Sequence, residues 1–520
     1  GECGPGRARG PKAWFGLMRG ADMLVQTLAR AGVTRIFALS GNQIMPIFDA
    51  CLDAGISLIH TRHEGAVVFM AEAYAQLTGQ VGVALVTAGG GLANSVGALA
   101  SARASDTPVL LLSGDSPRGQ DGSGAFQEMD QVAITQAVTK YSYRSEAAEG
   151  LGRDLAWAIE SAMTGQPGPV HLALPFDVVT AEVDGTAPVV VPAVEAVDPA
   201  DVEAVRGLVA VAARPLVVLG PSLTPTRQAG LVERLGAALG APVYAMESPR
   251  GVRDPSLGRM AEVVARADLV LCLGKRVDFT LGFGTGEAEW VTVSADGADH
   301  ALAAGNLGAR HRAGVVAPAL SMARALCEGE AAAREAWCAE AAGLTRVRPE
   351  VGDGLTSASL CAAVQEVIAG CDESVVICDG GEFGQWAQAL TCGTARVING
   401  VSGAIGGGLP YAMAAHVARP GATVFALSGD GSIGFHFAEF ETAARHGLPF
   451  VMVIGNDLRW NAEHQIQLRD YGEGRLAGCD LTAARYDLAA QAMGAHGEFV
   501  TSPEDLQPAL ERAVASGRPA

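Results

Sequence analysis

The stretch that decides the fold is residues 423–460, which read TVFALSGDGSIGFHFAEFETAARHGLPFVMVIGNDLRW. Two apolar runs in it, TVFALSGDG (423–431) and PFVMVIGND (449–457), are separated by a segment of helical length. Both runs are continuously apolar rather than alternating, which is typical of parallel strands buried on both faces. Each run ends in polar residues, at the edge where open parallel sheets bind their ligands.

Similar apolar runs recur along the rest of the chain, and the stretches between them are rich in the helix formers Ala, Leu, Glu and Arg. This alternation predicts an α/β chain of doubly wound parallel sheets. The further runs are IFALSG (36–41), VGVALVT (81–87), PVLLLSG (108–114), PVHLALP (169–175), PLVVLG (215–220), APVYAM (241–246), DLVLCLG (268–274), VTVSAD (291–296) and SVVICDGG (374–381).

Two breaks divide the chain, which at 520 residues is long enough for about three domains. Residues 187–200, APVVVPAVEAVDPA, are rich in Pro and Val and lack a helical period. Residues 328–354 are helical and polar and then end in Pro and Gly. We therefore expect three doubly wound parallel-sheet domains, over residues 18–186, 200–330 and 355–520.

Composition and charge exclude several classes of protein. The formal net charge of −19 argues against nucleic acid or an anionic membrane surface as the main partner, so a bound phosphate must be held by local groups or a metal. No apolar run approaches the length of a membrane span. The ten cysteines contain no CxxC pair, which favours reduced thiols in the cytoplasm. Residues 1–17 lack the apolar core of a signal peptide, and we expect a disordered leader.

The polar ends of the two quoted runs predict a metal site that holds a phosphate. Asp430 ends one run and Asn456 ends the next, 26 residues later. One carboxylate and one amide oxygen suit a hard cation such as Mg²⁺, and the main-chain carbonyl of Leu458 is the expected third ligand. Gly431 allows a backbone N–H to approach a phosphate at the start of a helix.

The spacing from GDG to Asn resembles the signature of thiamine diphosphate (ThDP) enzymes. Arg62-His63-Glu64 resembles the catalytic-glutamate segment of that family, and VSGAIGGGLP (401–410) resembles the loop that carries an apolar wedge beneath the cofactor. GGGLAN (89–94) and GAFQE (124–128) are similar to segments of acetolactate synthases, 2-hydroxyacyl-CoA lyases and benzaldehyde lyase. The chain is thereby identified as a member of the ThDP superfamily, acetolactate synthase-like.

The resemblance implies roles for particular residues. Glu64 would hydrogen-bond the aminopyrimidine ring and promote its imino form, and Gln127 would lie near the substrate carbon. Ile405 would bend the cofactor, while the carbonyl of Gly403 would receive its 4′-amino group. The metal would be Mg²⁺, held by the three ligands above. The other residues expected at the cofactor are Asn94, Glu382, Phe383, Gly431 and Ser432, with any contact of Glu382 made through its backbone.

The resemblance also implies what each domain and subunit does. The three domains would be pyrimidine-binding, central nucleotide-binding-like and diphosphate-binding. The central domain lacks a GxGxxG fingerprint, so FAD or ADP is only an optional ligand there. Lys275-Arg276 could pair with a phosphate, but a solvated pair is the favoured interpretation. Active sites would lie between subunits of a homodimer or homotetramer. By analogy with the end of the first domain, a further strand is expected after SGRPA (516–520).

The expected reaction is that of a carboligase or lyase. The loop SGDSPRGQDGSGAFQE (113–128) contains no histidine, which disfavours a pyruvate-decarboxylase-like role. We expect an acetolactate synthase-like enzyme that acts on a 2-keto acid or a 2-hydroxy carbonyl compound. A benzaldehyde-lyase-like enzyme is an alternative, although Gln43 stands where that lyase has a histidine, and a 2-hydroxyacyl-CoA lyase is another. A non-catalytic nucleotide-binding or regulatory protein on the same scaffold is the alternative from a different class.

Overall fold

The computed structural model of the protein describes residues 18–193, 195–331 and 334–520. Three parallel sheets of six, five and four strands follow one another along the chain, each covered by helices. This confirms the predicted α/β class with several parallel sheets. The leader predicted over residues 1–17 lies outside the described residues. Within those residues, no helix combines the length and the apolarity that a membrane crossing requires.

The first sheet has the strand order β3-β2-β4-β5-β7-β6, and β1 pairs antiparallel with β8 beside it. Its strands are β1 (Met18–Arg19), β2 (Arg35–Ala38), β3 (Ser57–His60), β4 (Gly82–Val86), β5 (Val109–Asp115), β6 (Tyr141–Arg144), β7 (Val170–Pro175) and β8 (Glu182–Val183). Its helices are α1 (Gly20–Arg30), α2 (Met45–Ala54), α3 (Glu64–Thr78), α4 (Gly90–Ala93), α5 (Val96–Ala104), α6 (Gln131–Gln136), α7 (Leu151–Met163) and α8 (Phe176–Thr180).

The central sheet has the order β10-β9-β11-β12-β13. Its strands are β9 (Pro215–Leu219), β10 (Val243–Ala245), β11 (Leu269–Leu273), β12 (Glu289–Ser294) and β13 (His311–Val316). Its helices are α9 (Pro199–Val211), α10 (Leu231–Leu239), α11 (Met260–Arg266), α12 (Gly297–Leu307), α13 (Ala319–Leu326) and α14 (Glu335–Thr345).

The third sheet has the order β15-β14-β16-β17. Its strands are β14 (Ser374–Cys378), β15 (Ala395–Ile398), β16 (Thr423–Gly429) and β17 (Val451–Gly455). Its helices are α15 (Ser357–Ala369), α16 (Gly381–Leu390), α17 (Gly408–Ala418), α18 (Asp430–Ile433), α19 (Glu439–His446), α20 (Asn461–Tyr471), α21 (Tyr486–Ala492) and α22 (Leu506–Ala515).

Helices α3 and α17 pack against each other and join the first and third sheets in one hydrophobic core. Both are apolar on nearly every side, which is typical of helices that are buried all round. Phe69 on α3 meets Tyr411 on α17 edge to face, with ring centroids 5.6 Å apart. The Tyr411 hydroxyl also donates to Oε2 of the buried Glu72 at 2.6 Å. The pair therefore fixes how the start of α3 lies relative to the third sheet.

Each apolar run named above contains a strand, but six strands were not predicted. Two of them, β1 and β8, form the small antiparallel sheet, and the other four, β3, β6, β13 and β15, each lie at the edge of a parallel sheet. Edge strands are half solvated and therefore carry polar residues, as in YSYR of β6. At the end of the chain, Ala520 lies beside β17 and exchanges backbone hydrogen bonds of 2.8 and 2.9 Å with Met452 and Phe450.

Candidate active site

The third sheet carries a cleft at the carboxyl ends of β14 and β16. These two strands are neighbours, but the chain continues from β14 to β15 and from β16 to β17, on opposite sides. Connections that leave adjacent strands in opposite directions open a crevice, and ligands of open α/β sheets bind there. The residues that line it include Gly380, Ile405, Asp430, Gly431, Ser432 and Trp460.

Asp430 lies at this edge because it is the first residue after β16. Its residue surface is only 3% exposed, and its Oδ2 atom has no hydrogen-bond partner among the described residues. Burial and the nearby charge of Asp457 raise the pKa of Asp430, and burial also raises the pKa of Asp457. A buried carboxylate oxygen without a donor, beside a second carboxylate, is an arrangement that a bound cation stabilises.

Asp457 is not among the ligands predicted from the sequence, although it directly follows one of them. Asn456 and Asp457 both line the cleft, and the charge of Asp457 raises the pKa of Asp430. Leu458, the predicted third ligand, has a left-handed backbone with φ of +62°, which is uncommon outside glycine. Its carbonyl accepts a hydrogen bond from the Leu481 N–H at 2.7 Å and keeps one free lone pair.

Asp379, at the end of β14, organises the loop that carries Gly403 and Ile405. Its Oδ1 atom accepts from Asn399 Nδ2 at 2.8 Å and from the Gly406 N–H at 3.0 Å. Its Oδ2 atom accepts from the Ser428 hydroxyl at 2.7 Å, so the carboxylate also reaches β16. Burial raises the pKa of Asp379, and these donors oppose that rise. The loop is thereby held over the cleft that Ile405 lines.

Two glycines of the cleft stand where a side chain does not fit. A Cβ atom at position 380 would lie 2.2 Å from the Ala404 carbonyl oxygen and 2.7 Å from Cγ2 of Ile405. A Cβ atom at position 431 would lie 2.7 Å from the ring of Trp460. These positions keep the backbone of both strand ends exposed to a ligand, which suits contacts to phosphate oxygens.

Glu382 and Phe383 lie in the first turn of α16, at the same edge. The Glu382 side chain accepts a hydrogen bond from Trp386 Nε1, so it is turned toward its own helix. Arg250 reaches this turn from the central part of the chain, where Nη2 donates to the Gly381 carbonyl at 3.1 Å. Burial lowers the pKa of Arg250. No motif could have predicted this contact, because it joins residues 131 positions apart.

The first sheet carries Glu64, which is the first residue of α3. Glu64 Oε2 accepts from Asn94 Nδ2 at 3.0 Å, so the structure brings these two predicted residues together. His63 caps the helix through Nδ1, which accepts the Gly65 N–H at 2.9 Å. Among the described residues of this single chain, neither Glu64 nor Asn94 lines the cleft of Asp430.

Gln127 lies in a left-handed conformation, with φ of +62°, in the loop after β5. Its Oε1 atom accepts from Gln43 Nε2 at 2.9 Å, and Gln43 Oε1 accepts from the Thr87 hydroxyl at 2.7 Å. Residues that follow β2, β4 and β5 thus form one chain of hydrogen bonds, which orients the amide of Gln127. Gln127 also stays outside the cleft of the third sheet in the described part of this chain.

The Lys275-Arg276 pair of the central domain, expected to be solvated or to contact a phosphate, is engaged inside the fold. Arg276 Nε lies 2.7 Å from Asp299 Oδ1, and Asp299 Oδ2 accepts from the Ser294 hydroxyl at 2.8 Å. Lys275 is buried, and burial lowers its pKa. Arg276 is therefore already paired and Lys275 is buried. By contrast, Asp430 Oδ2 has no hydrogen-bond partner among the described residues.

The family model of the thiamine pyrophosphate enzyme N-terminal TPP binding domain matches residues 18–134, and that of the C-terminal TPP binding domain matches residues 379–520. A probable acetolactate synthase of Mycobacterium bovis is 30% identical over 529 residues, which cover 97% of this chain and 95% of the relative. The chain belongs to the thiamine pyrophosphate enzyme family. It is an enzyme with domains that bind ThDP, also called thiamine pyrophosphate, and it acts on small molecules.

Other relatives of this ThDP enzyme carry two kinds of name. Human 2-hydroxyacyl-CoA lyase 2 is 28% identical over 558 residues, which cover 94% of this chain and 86% of the relative. A probable acetolactate synthase large subunit of Methanocaldococcus jannaschii is 26% identical over 543 residues, which cover 96% of this chain and 91% of the relative. The relatives thus include synthases that are named for acetolactate and lyases that are named for acyl-CoA compounds.

Proposed function

We propose that the enzyme is a ThDP- and Mg²⁺-dependent carboligase or lyase of the acetolactate synthase type, acting on a 2-keto acid or a 2-hydroxy carbonyl compound. The observation that carries the proposal is the unpartnered, buried Oδ2 of Asp430 beside Asp457, in the cleft lined by Ile405. Carboxylate oxygens are ligands that Mg²⁺ prefers, and the metal would in turn hold the diphosphate. Names of relatives with near full-length coverage support the reaction type.

Mg²⁺ would be held by Asp430, by the side chain of Asp457 or Asn456, and by the Leu458 carbonyl. The metal has a clear electrostatic purpose, because a chain with a net charge of −19 repels a diphosphate at long range. Gly380 and Gly431 leave backbone exposed beside the metal, and Ser432 adds a hydroxyl at the same edge. Together these groups would bind the diphosphate end of the cofactor.

Bound ThDP supplies a nucleophilic carbon and an electron sink. Glu64 would hold a proton at the ring nitrogen of the pyrimidine. Asn94 orients the Glu64 carboxylate by donating to Oε2, and Oε1 has no hydrogen-bond partner among the described residues. The carboxylate is therefore fixed in direction and still has an acceptor to offer. Ile405 would keep the cofactor bent. Its loop is held in place by Asp379, which accepts hydrogen bonds from the Gly406 N–H and from the Ser428 hydroxyl.

Gln127 would orient the substrate carbonyl. Its carbonyl oxygen already accepts from Gln43, so its amide N–H groups would be the atoms that it offers to the substrate. The surrounding loop, residues 113–128, has no histidine to protonate a carbanion. This favours the capture of that carbanion by a second carbonyl compound, which is carboligation.

Two subunits would complete each active site, in a homodimer or homotetramer. Glu64 and Asp430 do not line a common cleft within the described part of one chain, and this supports the proposal. Mixing a Glu64→Gln protein with an Asp430→Ala protein tests it, because hybrid dimers would contain one intact site. We expect two inactive proteins to regain part of the wild-type activity after subunit exchange, and continued inactivity of proven hybrids would contradict the proposal.

The reaction is tested by incubating the holoenzyme with a panel of 2-keto acids, with and without aldehyde acceptors. We expect CO₂ release and ligated 2-hydroxy ketones in mass spectra. The lyase alternative is favoured by the 2-hydroxyacyl-CoA lyase relative, and it predicts aldehyde release from a 2-hydroxyacyl-CoA instead. A holoenzyme that binds ThDP and transforms neither class would contradict both candidates.

A further inference from the structure

We propose that His436 is a positioning residue that fixes both the Ile405 loop and the start of the Glu64 helix. His436 lies in the turn between α18 and α19 and is 7% exposed. It lies between the two apolar runs quoted first and belongs to neither. The proposal rests on the proposed function, because that function gives Ile405 and Glu64 their roles.

The first contact of His436 is with the Ile405 loop. Its Nδ1 atom lies 2.7 Å from the carbonyl oxygen of Gly406, the residue directly after Ile405. A carbonyl only accepts, so Nδ1 carries the hydrogen and donates it. The Gly406 N–H is bound by Asp379, so both peptide groups that flank Gly406 are anchored by buried side chains. Burial lowers the pKa of His436 to about 4, so the ring is neutral near pH 7.

The second contact of His436 is with the first turns of α3. Its ring meets His63 edge to face at 5.3 Å and meets Phe69 in the same way at 5.6 Å. A Cβ atom at position 65 would lie 3.1 Å from His436 Nε2, so the ring also lies close to the helix backbone. Glu64 lies between His63 and Gly65 in the chain. The orientation of its side chain therefore depends on a helical turn that packs against the His436 imidazole.

One imidazole thus touches the residue after Ile405 and the residue before Glu64. In the two-subunit arrangement, Ile405 serves the cofactor of its own chain and Glu64 serves the cofactor of the partner. His436 would then connect the two active sites of a dimer through packed groups. Side chains that orient catalytic groups have large effects without touching the ligand themselves.

Two amide variants of His436 separate this role from general packing. In His436→Asn, Nδ2 stands near the place of the imidazole Nδ1 and donates to Gly406. In His436→Gln, the amide lies one bond further out and leaves that carbonyl without a donor. We expect the Gln variant to bind ThDP about 10-fold more weakly by calorimetry at saturating Mg²⁺, since an unpartnered buried acceptor is costly, and the Asn variant to stay within about threefold of wild type.

The same proteins are compared in kcat, KM and Tm. We expect the Gln variant to lose kcat while its Tm stays near that of the Asn variant. His416→Gln is the matched control, because His416 lies on α17 and has no hydrogen-bond partner among the described residues. His436→Ser is too short to reach Gly406 and replaces the Gln variant if that protein does not fold.

Equal ThDP affinity and kcat in wild type, Asn and Gln variants would overturn the proposal. Equal losses in the Asn and Gln variants would overturn it as well, because the donor to Gly406 would then be irrelevant. Failure of the proposed function looks different, since the wild-type protein itself would then not bind ThDP in the same titration.

Discussion

The central sheet and the third sheet share one topology but differ in what their edges offer a ligand. In each sheet, the first strand is flanked by the second and the third, so a switch point lies between β9 and β11 and between β14 and β16. In the central sheet, Arg276, which follows β11, is paired with Asp299 of α12. In the third sheet, Asp430 keeps an unpartnered oxygen. The topology provides a crevice in both sheets. Whether that crevice can bind a ligand depends on whether its polar groups are already paired within the protein.

The largest effect is expected at Asp430. We expect Asp430→Ala to weaken the Mg²⁺-dependent binding of ThDP by more than about 100-fold, because even residues that only orient metal ligands contribute 10–100-fold. Calorimetry with and without Mg²⁺ measures this. Asp299→Ala is the control from the equivalent edge of the central sheet, and it should leave ThDP binding unchanged. Normal Mg²⁺-dependent binding in the Asp430 variant would break the comparison.

A second pair of variants sharpens the assignment of ligands in the third sheet. We expect Asp457→Ala to weaken Mg²⁺-dependent ThDP binding by about 10–100-fold, because its carboxylate lies beside that of Asp430. Asn456→Ala should change it by less than about threefold. The reverse order, in the same titration, would assign the metal to Asn456 instead.

The smallest effect is expected from Asp106, which faces the central sheet from the first. Burial raises the pKa of Asp106 to about 6, and Gln166 Nε2 donates to it at 2.8 Å. A carboxyl group with a raised pKa costs stability once it ionises, so its contribution is lost as the pH rises through about 6. Asp106→Asn does not titrate, and Asn tolerates the φ of +49° at this position.

We therefore expect Asp106→Asn to raise Tm by about 2–4 °C more at pH 8 than at pH 5, with ThDP binding unchanged. Thermal unfolding at both pH values checks this. The same Tm difference at both values would show that the carboxyl group does not ionise in this range. A change in ThDP affinity would show that the contact between the first and central parts of the chain contributes to the cofactor site.

Much of the fold could be predicted, because parallel strands that are buried on both faces have continuous apolar sequences. The strands of the parallel sheets that were missed, β3, β6, β13 and β15, lie at sheet edges, where solvent permits polar residues and removes that signal. The hydrophobic contact of α3 with α17 was likewise not predicted. This contact depends on how the first and third sheets are placed relative to each other, and a local sequence pattern does not contain that information.

The residues of the candidate site likewise fall into those that a local motif identifies and those that only the structure identifies. Asp430, Glu64 and Ile405 lie in short motifs whose spacing is set by strand and loop lengths, so sequence alone could point to them. Arg250 could not be found in this way, because its relevance comes from tertiary proximity. Asp457 directly follows Asn456 in the same motif, but only the structure shows that its charge acts on Asp430.

The central claim is that Glu64 activates ThDP held by the metal site of the third sheet. Hydrogen–deuterium exchange at C2 of bound ThDP, compared in wild type and Glu64→Gln, measures this directly. We predict that exchange slows by about 100-fold or more in the variant, the range expected for loss of proton-transfer assistance, while ThDP affinity is retained. Equal exchange rates in two proteins that bind ThDP equally well would contradict the account.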